Sequence, residues 1–209
     1  MANLNDPPDI IMRHGAYLPH WTRERATYAV TFRLADSLPQ NVLTEWIQER
    51  EEIVAVAAKQ GRLLSVSEEL RLRTLHSEKV EAYLDAGHGA CHLRDPRAAE
   101  IVLDEFRHFD GTRYRLHAWC VMPNHAHAVV EPFGPYTLPA ILHSWKSYTA
   151  KAVNRALSRT GAFWQPEYYD HLIRNEEEFD HALRYVADNP AKAGLTDWPW
   201  VFVTRATYR

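Results

Sequence analysis

Cysteine is almost missing from this chain. Cys91 and Cys120, two in 209 residues, cannot build a disulfide framework and fit no zinc-knuckle spacing. Long apolar runs are missing too: none approaches the roughly 20 residues that cross a bilayer. The opening MANLNDPPDIIMRHG lacks the basic-then-apolar layout of a secretory leader. These absences set the expectation of a protein of the reducing cytoplasm with no membrane partner. An excess of positive charge is also lacking. The formal net charge is -3, which argues against broad, non-specific nucleic-acid affinity. Acid, in turn, is absent from one stretch. Between Pro132 and Pro166 there is no Asp or Glu, while Lys146, Lys151, Arg155 and Arg159 all fall there. Glu45, Glu49, Glu51, Glu52, Glu68 and Glu69 gather the acid elsewhere. A locally basic face on an acidic chain is compatible with this distribution.

What is present suits one globular unit over residues 1–209. Hydrophobic residues make up 46% and charged residues 24%, and the length suffices for a real core. There is no repeat and no low-complexity tract. The first 25 residues, rich in Pro, His and Arg, read as an extended arm. ATYAVTFRLA, residues 26–35, alternates like a strand. Residues 40–83 carry helical periodicity and many charges, so two solvated helices are expected, inserted after the first strand. DPRAAEIVLDEFRHF opens with Asp95 as cap and Pro96 at the first helical position. RYRLHAWCVM and HAHAVVE read as strands joined at Pro123-Asn124. A helix over 137–159 capped by Thr137, a short edge strand at 168–174, and a last helix follow. That helix is capped by Asn175 with Glu178 closing a capping box, and Pro190 is expected to stop it. This order fits an α+β, ferredoxin-like split βαβ sandwich, an antiparallel sheet with helices on one face.

VMPNHAHAVVE holds the chemistry. With 12 His in the chain, about 0.7 His-x-His pairs arise by chance, so spacing alone decides little. Strand geometry adds that His125 and His127 point to one face while Ala126 and Ala128 point to the other. Two satisfied core histidines and two ligands of one cation both remain open at this level. Further ligands are available on the last helix, where Tyr185 and Asn189 stand four residues apart on one face. The Asn189 amide oxygen suits a hard cation. The Tyr185 hydroxyl, with an ordinary pKa near 10, needs help to act as a nucleophile; the alternative is a tyrosine at the edge of an apolar face.

VMPNHAHAVVEP, FWQPEYYDHLIRNEEEF and RYVADNPAKAGL, in this order, resemble the REP-associated tyrosine transposases, a branch of the HUH single-strand nucleases. YLPHW and YAVTFRLADSLP look like the arm and first strand of that family. The resemblance implies a ferredoxin-like fold, Mg2+ or Mn2+ held by His125, His127 and Asn189, and a tyrosine that cleaves single-stranded DNA beside hairpins through a 5′-phosphotyrosine intermediate. Tyr185 matches the nucleophile, with Tyr168 and Tyr169 as runners-up. It also implies a monomer with the tyrosine acting in cis. Two features depart from it: a longer segment at 40–83 and the acidic net charge.

For DNA contact, Ser147, Lys151, Arg155 and Arg159 step by four along one expected helix face, and a phosphate backbone would relieve their repulsion. Lys146 lies in the same basic stretch and Arg174 closes the edge strand. Trp164 and Gln165 offer an indole to stack on a base and an amide to read an edge. Arg13, His14 and His20 in the arm are candidates for a hairpin foot. Two rivals stand beside a nicking and joining enzyme: an inactive relative that regulates by binding DNA or RNA hairpins, and a metal-dependent phosphodiesterase that activates water.

Overall fold

The computed structural model describes residues 11–14, 19–22, 26–62, 64–76 and 80–204. Strands β1 (Ile11–His14) and β2 (Pro19–Thr22) pair antiparallel, Arg13 opposite His20, so these two stretches of the arm pair with each other. The side chains of Arg13, His14 and His20 lie outside what is described.

The domain sheet runs β6 (Tyr169–Ile173), β3 (Thr27–Arg33), β5 (His125–Pro132), β4 (Tyr114–Val121), β7 (Val201–Val203), antiparallel throughout. With α4 (Pro96–His108) after β3 and α5 (Leu138–Ala156) after β5, β3 to β6 give the split βαβ arrangement expected. Strand alternation sorts the two faces. Tyr28, Val30, Phe32, Ala126, Ala128 and Val130 pack against α4 and α5, around Phe106 and Trp145. Ala118, Cys120, Met122, Val129 and Ile173 pack against Phe179, Leu183 and Val186 of α6 (Glu176–Lys192). The α+β class stands, but the helices divide: α4 and α5 cover one face, and α6 covers the other.

Local signals act much as the residues require. Asp95 caps α4 by accepting from the Arg97 amide at 3.0 Å, with Pro96 at the first turn. Thr137 caps α5. Asn175 caps α6 by accepting from the Glu178 amide at 2.9 Å. Glu178 does not return the bond to Asn175; its carboxylate accepts from the amide of Arg174, one residue earlier, at 2.9 Å. Three glutamates in the first turn of α6 complement its dipole.

Two helix ends differ from expectation. Pro190 does not stop α6, which runs on to Lys192; in the last turn a missing amide costs one bond and the ring has little helix left to break. Helix α5 ends at Ala156, because the chain turns left-handed at Ser158 (φ 52). Arg159 therefore leaves the helix face and folds back, donating to Asn154 Oδ1 at 3.0 Å with its guanidinium 5.6 Å from the Phe163 ring.

The segment after β3 forms α1 (Gln40–Lys59), α2 (Val66–His76) and α3 (Ala82–Asp85). It is not wholly solvated: Leu38, Val42, Trp46, Val80 and Leu84 are buried, and most of these form a small core of their own. The segment's last turn reaches α6, as described next.

Candidate nuclease site

Strand β5 lies between β3 and β4, and its odd-numbered residues face α6. His125 and His127 are 1% and 2% exposed, with their Nε2 atoms 2.8 Å apart. Each ring is fixed from behind. The amide of Asn124 donates through Nδ2 to the His88 carbonyl at 2.9 Å, so its Oδ1 faces His125 Nδ1 at 2.7 Å. An amide oxygen can only accept; His125 therefore carries its proton on Nδ1, and its Nε2 accepts a hydrogen bond from His127 Nε2. Thr31, cross-strand partner of His127, meets His127 Nδ1 through its hydroxyl at 2.8 Å. A hydroxyl can donate or accept, so that bond survives either tautomer of His127. Orientation of imidazoles by such outer partners is characteristic of ligating histidines. Sequence reading treated Asn124 as a turn residue and passed over Thr31; the first could have been suspected from its place before His125, the second only from strand register.

Helix α6 brings the other two residues. The Tyr185 ring stands perpendicular to His127, centroids 5.2 Å apart. Asn189 is 1% exposed, and its Oδ1 makes no hydrogen bond. The Asn189 side chain lies within reach of both His127 and the Tyr185 hydroxyl. Burial holds the His127 imidazole down to about 3, with Asn189 working upward against it and Lys192 adding to the depression. Burial also raises the Tyr185 phenol above its ordinary value, and the carboxylates of Glu81 and Asp85 push the same way. Glu81 lines the same cleft as Tyr185, and Lys192 Nζ sits 4.9 Å from the ring centroid. His127, Tyr169, Tyr185, Glu81, His171 and Lys192 line one open cleft of about 780 Å³.

The donor set fits a divalent cation. The two Nε2 atoms, here joined by a hydrogen bond at 2.8 Å, would lie about 3.0 Å apart if bound at right angles to one ion at about 2.1 Å, so the rings need little movement to exchange that proton for a cation. The buried, unsatisfied Asn189 Oδ1 supplies an acceptor of the kind a cation relieves. Among the described residues no group of three or more His, Cys, Asp and Glu could hold a metal, so the set rests on two imidazoles and an amide oxygen.

The expected DNA contacts are not gathered here. Lys151 and Arg155 are exposed on α5, across the sheet from α6, and Ser147 is half-buried on the same helix. Lys146 Nζ donates to the Pro166 carbonyl at 2.5 Å, and burial pulls it down to about 8. Trp164 is 6% exposed, with its ring centroid 4.7 Å from that of Phe32 and its Nε1 donating to Thr149 at 2.8 Å. Its indole is packed largely into the core because the segment before β6 bridges back to Leu34. The Gln165 amide is spent on the Ala35 carbonyl. Arg174 is exposed between β6 and the Asn175 cap of α6. Of the runner-up tyrosines, Tyr169 lines the histidine cleft, whereas Tyr168 lines a second cleft of about 500 Å³ beside Lys146 and Trp164. Two buried cations escaped the sequence reading. Arg33, opposite His125, and Arg50 are each pulled down to about 10 by burial, and both feel the carboxylate of Glu167, as does Lys146.

Comparison with known proteins meets this geometry at its centre. The family model described as transposase, IS200-like, matches residues 102–189. That span holds both histidines, Tyr185 and Asn189, and the resemblance read from the motifs is borne out. The REP-associated tyrosine transposase of Escherichia coli is 29% identical over 93 residues, 42% of this chain and 53% of that protein. A Haemophilus influenzae protein named for the same family is 26% identical over 97 residues, 40% of this chain and 55% of that one. The chain thus spans about half the length of the curated relatives it matches. A solved REP-associated tyrosine transposase bound to a REP hairpin aligns with 90% of this chain and 80% of its own, at 16% identity and a TM-score of 0.48. No helix among the described residues is long and apolar enough to cross a membrane.

Proposed function

We propose that this chain nicks and rejoins single-stranded DNA beside hairpins, with Tyr185 as nucleophile and Mg2+ or Mn2+ held by His125, His127 and Asn189. One observation carries the reading: the His125 and His127 Nε2 atoms are adjacent, the buried Asn189 side chain with its unsatisfied amide oxygen lies beside them, and His127 and the Tyr185 ring packed against it open onto one cleft. When bound, the cation supplies Lewis-acid polarisation of the scissile phosphate. The chain's own residues do the rest. Asn124 and Thr31 aim the imidazoles, Asn189 and His127 hold the Tyr185 ring in place, and Lys192 brings positive charge to the phosphate as its negative charge grows. The Tyr185 oxygen bonds phosphorus and leaves a 5′-phosphotyrosine and a free 3′-hydroxyl; reversal of that attack rejoins or transfers strands.

His127 and Tyr185 touch within one chain, which supports a monomer acting in cis over a single domain, with 40–83 as its insertion. Lys151 and Arg155 on α5, with Arg174 just before α6, are exposed cations offered to the flanking duplex; Arg13 and His14 would extend that contact from the arm. The test is to incubate the protein with a hairpin-flanked single strand and Mn2+. A denaturation-resistant protein–DNA adduct is expected from the native chain and none from Tyr185→Phe. An adduct that persists in Tyr185→Phe would refute the nucleophile, and hairpin binding with no adduct would favour a regulator that only binds.

A further inference from the structure

The segment between β3 and α4 looks at first like an ornament on the fold, since α1 and α2 face solvent over much of their length. Its last turn does not. Val80 and Leu84 are buried, and they anchor a turn whose acidic residues are Glu81 and Asp85, four apart and therefore on one helical face. Both carboxylates act on the Tyr185 hydroxyl, and Glu81 lines the same cleft as the Tyr185 ring. Lys192, beneath the same ring, also feels Asp85. The phenol has a concrete need for such a neighbour: a tyrosine hydroxyl, with an ordinary pKa near 10, is protonated at neutral pH, and attack requires that its proton leave.

Resting on Tyr185 as the nucleophile, the geometry points to Glu81 as the residue that receives the Tyr185 proton, making the inserted segment part of the catalytic centre. As the Tyr185 oxygen bonds phosphorus, its O–H bond breaks and the proton passes to a Glu81 carboxylate oxygen. The bond from phosphorus to the 3′ oxygen breaks, its electron pair leaves with that oxygen, and the oxygen takes a proton from solvent. In the joining direction the 3′-hydroxyl gives up its proton to solvent, and the proton on Glu81 returns to the departing tyrosine oxygen. No oxidant or further reactant is required. Asp85 and Lys192 are positioning residues: the first keeps the local field negative on the insertion side, and the second keeps the ring seated.

The test compares single-turnover adduct formation on a hairpin-flanked strand for the native chain, Glu81→Gln, Glu81→Asp and Tyr185→Phe, together with hairpin Kd for each. Glu81→Gln keeps the size and polarity of the side chain and removes its basicity. A rate loss of about 100-fold or more is expected from a positioned general base, with Kd unchanged and part of the rate kept in Glu81→Asp. Placing a ring-fluorinated, more acidic tyrosine at position 185 should recover most of the Glu81→Gln loss, which a purely structural role for Glu81 would not allow. Native-like rates in Glu81→Gln, or no recovery with the acidic tyrosine, would overturn the assignment while leaving Tyr185 as nucleophile. Absence of adduct from the native chain would overturn both.

Discussion

Replacing Asn124 by Ala removes two buried hydrogen bonds from one side chain, and they belong to different jobs. Nδ2 ties the 122–124 turn to the His88 carbonyl, while Oδ1 fixes the tautomer of His125. Asn124 is fully buried and His125 is 1% exposed, so the His125 N–H is left with no acceptor from that residue and little access to water. Losing an ordinary bond costs about 1 kcal/mol, and leaving a buried donor unsatisfied costs about 1–3 kcal/mol, so Asn124→Ala should destabilise the fold by about 2–4 kcal/mol. Freed from its acceptor, His125 can also move its proton to Nε2, the atom offered to a cation. Loss of an orienting partner of this kind weakens metal binding by about 10–100-fold, or about 1.4–2.7 kcal/mol. Asn124→Asp separates the two effects, because it keeps an acceptor for His125 and loses the donor to His88. Urea unfolding should find both variants destabilised. Calorimetric titration with Mn2+ should find weak binding in Asn124→Ala and near-native binding in Asn124→Asp. Equal Mn2+ affinity in Asn124→Ala and the native chain would refute the account of how His125 is aimed.

Three further outcomes are expected. Trp164→Phe removes the donor to Thr149, which is itself 1% exposed; urea unfolding should show a loss of about 1–2 kcal/mol with hairpin affinity unchanged, and a selective loss of affinity would restore Trp164 as a DNA contact. His117, 3% exposed and edge-on to Phe179, is held below its ordinary value by burial, against the pull of Glu131. The unfolded chain therefore binds a proton on His117 near pH 6.5 and the folded chain only at lower pH. Stability should fall as pH drops from 6.5 through that depressed value, and a His117→Gln variant should show a flatter urea-midpoint profile over the same range. Glu167→Gln takes away the carboxylate shared by Arg33, Arg50 and Lys146; the midpoint should drop, and Lys146 should become easier to deprotonate, as read by the pH dependence of its acylation.

The parts of this molecule written in adjacent residues were legible before the fold was. Asp95-Pro96, Thr137 and Asn175 are helix starts by their own chemistry, and each caps where expected. The alternation of HAHAV was enough to put both imidazoles on one face. What escaped depended on partners far along the chain. Thr31 meets His127 only because β3 pairs with β5 in a particular register. Trp164 is core because the chain turns after Ala156 and returns to Leu34, and neither its own neighbours nor the basic stretch around it carries that information. Glu81 looked like one more charge on a solvated helix; only the folded chain brings it to the cleft that α6 lines.

The histidine-bearing strand is the third of five, paired along its length on both sides. Fraying begins at sheet margins, where a strand has one neighbour or none. Here the margins are β6 and β7, so amide exchange at His125 and His127 should follow whole-molecule opening and not local breathing. A partly unfolded form that had shed both margins would still carry the two imidazoles side by side, ready for the helix to return.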